Sequence, residues 1–154
     1  MRLTRLAGLP VVDTNVARQA GVVSDALIDV RAGRLAVLNV QHGAGWEVQR
    51  IPAAYVYRLG PRTVMVSDTS SVELGAAARN ADWYPMAALV GLEVLTERGD
   101  LLGHIGDADL DERTLAVRTY LVRRGGPLRQ SVRVRATDVR SCSAELMIVR
   151  VPAG

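Results

Sequence analysis

The chain contains no Lys and no Phe, a single Cys, two His, and only 4% aromatic residues in 154. Each shortage excludes something. With Cys142 alone, an internal disulfide and a cysteine-cluster metal site are both ruled out. With only His42 and His104, a Ser-His-Asp or Cys-His arrangement would have to assemble across distant segments. No stretch reaches the roughly 20 apolar residues that a helical membrane span needs. The opening Met1-Arg2-Leu3-Thr4-Arg5 is basic, but Pro10, Asp13 and Asn15 soon interrupt the apolar run, so no signal-peptide core is expected. A cytoplasmic protein is the expectation, and the lone thiol suits a reducing compartment.

What is present reads as globular. Hydrophobic residues make up 49% and charged residues 23%, a balance that can bury a core. All 19 basic side chains are Arg, giving a net charge of +3. That excess permits an anionic partner without demanding one.

The chain repeats itself. Leu6-Ala7-Gly8-Leu9-Pro10-Val11-Val12 matches Leu89-Val90-Gly91-Leu92-Glu93-Val94-Leu95. Ser24-Asp25-Ala26 then aligns with Gly106-Asp107-Ala108, Leu35-Ala36-Val37 with Leu115-Ala116-Val117, and Tyr55-Val56 with Asp138-Val139. Four matches in order, with small drifts at turns, indicate a duplicated unit. The expected division is residues 1–70, a linker over 71–84, and residues 85–154. The linker could be helical over Val72 to Ala81, capped by Ser70 or Ser71 with Glu73 in its first turn.

Within each unit the pattern is of short strands between Gly turns. Val22 to Val30 and Arg34 to Gln41 flank Arg31-Ala32-Gly33. Trp46 to Ile51 and Val64 to Val66 follow. Gly103 to Leu110, Leu115 to Val122, the alternating Val132-Arg133-Val134-Arg135, and Leu146 to Val151 repeat the scheme. An all-β fold of two small barrels in tandem is predicted, since five or six short strands close best by rolling.

Four motifs then resemble the PRC-barrel family. In the first unit they are Leu6-Ala7-Gly8-Leu9-Pro10-Val11, Gly21-Val22-Val23-Ser24-Asp25, Gly33-Arg34-Leu35-Ala36-Val37 and Ile51-Pro52-Ala53-Ala54-Tyr55-Val56. The second unit offers Leu89-Val90-Gly91-Leu92-Glu93-Val94, Gly103-His104-Ile105-Gly106-Asp107 and Val134-Arg135-Ala136-Thr137-Asp138-Val139, with Arg135 where the family pattern has Pro. The resemblance implies two tandem PRC-type barrels and adaptor work: members help assemble photosystems, ribosomal subunits and cell-division or sporulation complexes. A non-catalytic module that binds a protein partner or itself is therefore the leading expectation. An RNA- or ribosome-associated maturation factor is the alternative.

Candidate chemistry is sparse, and neither a catalytic residue nor a cofactor site is expected. Asp107, Asp109 and Asp111, with Glu112, look superficially like a calcium loop but lack its Gly and distal Glu; a solvated strand face and turn is expected there, and no metal. His42-Gly43-Ala44-Gly45 and Gly125-Gly126-Pro127 lack the strand-to-helix setting of a phosphate loop and read as hairpin turns. Asp25 and Asp107 are expected to hold turn amides. The best partner-binding candidates are Arg123, Arg124, Arg129, Arg133 and Arg135, because guanidinium groups grip carboxylates and phosphates in bidentate fashion. Trp46 is a further candidate. Trp83 and Tyr84 are expected to pack between the two lobes.

Overall fold

The computed structural model describes residues 1–43, 47–67, 80–125 and 130–150. The expected linker helix falls mostly on residues outside these, as do Trp46 and Arg129.

The strands of the first half are β1 (Pro10–Asp13), β2 (Arg18–Asp29), β3 (Arg34–Gln41), β4 (Val48–Pro52), β5 (Val56–Leu59) and β6 (Val64–Val66). They lie side by side in the order β4-β3-β2-β1-β6-β5. After β7 (Trp83–Pro85) come β8 (Glu93–Thr96), β9 (Leu101–Leu110), β10 (Val117–Arg123), β11 (Ser131–Arg135), β12 (Val139–Cys142) and β13 (Leu146–Val149). Their order, β11-β10-β9-β8-β13-β12, is that of the first half. The single parallel pair also recurs: β1 with β6, and β8 with β13. The chain is mostly β, in two barrel-like halves.

A short connection demonstrates the rolling. β4 and β5 occupy opposite edges of their sheet, yet only the 3-10 turn Ala53–Tyr55 separates them. Ala136–Asp138 does the same between β11 and β12. Three residues span about 10 Å at most, so each sheet must curl until the end of one edge strand lies near the start of the other. Alternating residues then face inward. Leu35, Leu38 and Val40 of β3, and Tyr120 and Val122 of β10, are buried in one continuous core. Gly21 and Gly103 make the curl possible at equivalent points. Their φ angles are 144° and 145°, and a Cβ would collide with the carbonyl oxygen of Gln41 or Arg123.

The halves interlock reciprocally. The short turn Leu3–Arg5 buries Leu3, and the helical turn α1 (Met86–Leu89) buries Met86 and Leu89. Each opens one half and is held by the other. The Thr4 amide donates to Asp107 Oδ1 at 3.1 Å and its hydroxyl to Asp107 Oδ2 at 2.5 Å. The Met86 amide donates to Asp25 Oδ1, also at 3.1 Å. Just ahead of these turns, Arg2 bridges Asp109 of β9, while Pro85 of β7 pairs with Leu27 of β2. Between the barrels, Arg34 bridges Ala116, with the Leu35 amide donating to the Leu115 carbonyl and the Val117 amide to that of Gly33. The pattern is that of a pseudo-twofold axis.

Some sequence expectations change. Trp83 and Tyr84, placed at the end of the linker, belong to a strand of the first sheet, because pairing with β2 satisfies their backbone groups. β2 starts at Arg18 rather than Val22, since β1 recruits the polar residues ahead of Gly21. Asp107 is not on a solvated face; at 9% exposure it is buried beneath the Leu3–Arg5 turn.

Candidate functional site

Opposed residues in antiparallel strands share a face. Three rows therefore cross the second sheet on its outer side: His104, Arg123 and Ser131; Asp107, Leu121 and Arg133; Asp109, Thr119 and Arg135. The Leu3–Arg5 turn lies over β9 on this same side, through Thr4 on Asp107 and Arg2 on Asp109. The outer side of the second half thus carries Arg5, exposed, and Arg2, partly buried, in addition to Arg123, Arg133 and Arg135.

Local structure explains why these arginines project. The carboxylates nearest them are engaged elsewhere. Asp107 accepts from Thr4 and from the Ala108 amide, and Asp109 accepts from the Met1 amine at 3.4 Å. Among the described residues, none of the five arginines forms an ion pair; the charged pairs are Met1–Asp109, Arg118–Asp111 and Arg140–Glu97. Glu93, opposite His104, sits two strands from Arg123. The stem of Arg123 lies across Gly106, where any Cβ would strike its Cγ, Cδ and Nε. Gly106 therefore gives the Arg123 side chain its resting place.

The pseudo-twofold supplies an internal control. The positions equivalent to Arg2, Arg5, Arg123, Arg133 and Arg135 on the first half are Pro85, Ala88, Gln41, Arg50 and Pro52. One half carries five cations where the other carries one.

Of the expected partner-binding residues, Arg123, Arg133 and Arg135 come together. Arg124 is exposed just beyond β10, its amide bonded to the Gln130 carbonyl. Arg2 and Arg5 escaped sequence reasoning because they lie 118 residues or more before the others. The repeat held the available signal, since Leu6 and Leu89 imply that the segments before them dock alike.

Two clefts lie between the halves. One, of about 470 Å³, is lined by Arg31, Tyr84, Thr137, Arg140, Ser141 and Cys142 among others. Here Trp83 Nε1 donates to Asp29 Oδ2 at 3.3 Å and the Tyr84 hydroxyl to the Cys142 carbonyl at 3.1 Å. Burial, then the neighbouring Cys142, pushes the Tyr84 phenol up, and burial pushes the Cys142 thiol up. Neither group is activated as a nucleophile by such shifts. The counterpart cleft, about 310 Å³, is lined by Arg58, Asp111, Glu112, Arg113 and Arg118. The amides of Thr114 and Arg113, and then Arg118, hold the Asp111 carboxyl well below the usual carboxylate range. These are the contacts of a structural hairpin. His42 bonds Gln49 at 2.9 Å, remote from His104. Among the described residues no group of three or more His, Cys, Asp or Glu could hold a metal, and no helix is long and apolar enough to cross a membrane.

Residues 1–73 match the family model of the PRC-barrel domain. No curated protein matches the chain.

Proposed function

We propose that this chain, with a PRC-barrel domain over residues 1–73, is a non-catalytic adaptor that docks a protein partner on the outer face of its second half. The observation carrying the reading is the concentration of five arginines there, none in an ion pair among the described residues, against one at the equivalent positions of the first half. Guanidinium groups that pair with no described carboxylate keep their bidentate valence for a partner. Like charge disfavours self-association through this face, so a different, acidic protein fits it better.

The same five arginines support a second reading, an RNA- or ribosome-associated factor. Single-stranded RNA binding gains much of its energy from bases stacked on aromatic rings, and the three rows described above hold none beyond the imidazole of His104. The protein reading is preferred on that ground. A cytoplasmic setting accords with both.

Affinity capture by the full chain, run with and without nuclease, separates the two. The expected partner survives nuclease and is lost when Arg123 and Arg133 are both changed to Glu. Ribosomal proteins that vanish with nuclease, with a salt slope that falls by about one for each Arg removed, would establish the RNA reading instead.

A further inference from the structure

We infer that the partner enters as an extended segment alternating acidic and apolar residues, adding a strand to the free edge of β11. The inference rests on the proposed protein-binding reading and specifies how that face is used.

Three observations carry it. First, β11 ends its sheet, and among the described residues nothing pairs with its outer side. An edge strand presents a row of unsatisfied backbone donors and acceptors, and a peptide can complete it. Second, the pseudo-equivalent edge, β4, is blunted where β11 is not. Pro52 ends β4 opposite Val37, and Arg135 ends β11 opposite Thr119. Proline has no N–H to offer and is a common device for closing an edge. Arg135 restores the donor and adds a cation. Third, β11 has the alternation that such a segment would mirror. Arg133 and Arg135 are exposed on the outer face, Val134 is buried at 7%, and Val132 is partly buried. In an added antiparallel strand, directly opposed residues come within about 5 Å. Acidic residues at every second position would thus meet Arg133 and Arg135, with Arg123 one strand further in. The residues between them would extend the apolar interior beside Val132 and Val134.

The charge supplies the choice of occupant. A neutral edge strand could pair with any extended chain, including a second copy of this one. A copy of β11 would set Arg against Arg, which is destabilising for opposed like charges.

The test uses the full chain and a fluorescein-labelled peptide alternating Glu and Val, followed by anisotropy at low and moderate salt. A peptide of equal charge built from Glu, Gly and Ser serves as comparison. The alternating peptide is expected to bind more tightly, and to protect the amides of Arg133 and Arg135 from hydrogen exchange. Arg135→Pro and Arg133→Glu should each weaken it at least tenfold, while Arg50→Glu on β4 should leave it unchanged. Arg135→Pro should fold, because the first half carries proline at the same place. If circular dichroism shows otherwise, Arg133→Glu and the exchange pattern decide.

Failure of the alternating peptide to bind, or binding of both peptides alike without protection of β11, overturns strand addition and leaves the charged face standing. If Arg123→Glu with Arg133→Glu also leaves partner capture unchanged, the proposed function falls with it.

Discussion

At the scale of single residues, Asp25 and Asp107 do more than hold a turn. Each accepts from the amide that follows it and from the leading turn of the opposite half. Asp107 also takes the Thr4 hydroxyl. Removing an acceptor strands donors that are buried or partly buried, and the cost is their desolvation rather than the bond alone. Asp107→Ala should therefore destabilise the chain by about 2–3 kcal/mol in urea unfolding, and Asp25→Ala, with one donor fewer, by about 1–2 kcal/mol. Tyr120 is the opposite case. Its side chain is wholly buried and its hydroxyl has no partner among the described residues; burial also pushes its phenol far up. Deleting an unsatisfied hydroxyl removes a penalty, so Tyr120→Phe should leave stability unchanged or raise it by up to about 1 kcal/mol. A loss beyond that would mean the hydroxyl is bonded. Sequence reasoning gave both aspartates a structural role. It could not supply their partners, because Thr4 and Met86 lie 103 and 61 residues away.

At the scale of elements, the strands were legible where two signals coincided, alternation within a run and glycine at its end. The hairpin pairs β2–β3 and β9–β10 are of this kind. β7 was not legible. Trp83-Tyr84-Pro85 is too short, and too soon ended by Pro85, to announce a strand, and only a long-range partner, β2, makes it one. Arg133 and Arg135 were readable as a charged strand face from period two alone. The docking of Arg2 and Arg5 on the same half depends on the crossing of the two halves, which no local pattern encodes. The glycine at the head of β9 is a sharper test of the rolled sheet. A side chain at Gly103 would meet the Arg123 carbonyl in a backbone conformation that L-residues rarely adopt. Gly103→Ala should cost about 2–3 kcal/mol, whereas an ordinary glycine in a flat strand would gain slightly from the change. A neutral or stabilising result in thermal unfolding would argue against the tight curl at this point.

For the whole molecule, duplication explains the shared strand order, and the interlock explains why neither copy is simply a bead on a string. Small units of about 70 residues are marginal alone. Here each closes its outer surface with a turn borrowed from the other, leaving a joint core and two distinct outer faces. The first half has a proline-blunted edge and a nearly neutral face. The second carries the arginines and an edge, β11, that no described residue pairs, so symmetry in the scaffold coexists with asymmetry in what it displays.

The interlock is the physical premise beneath all of this, and native-state hydrogen exchange tests it most directly. The amides of Thr4 and Met86 donate into the opposite half's aspartates, and those of Leu35 and Val117 donate across the join. If the halves stand or fall together, all four should exchange through the same global opening, with one free energy and one denaturant dependence. Exchange of these amides through a cheaper opening, while core amides such as that of Tyr120 stay protected, would mean that the halves part independently and that the shared surface of Arg2, Arg5 and β11 is not a fixed one.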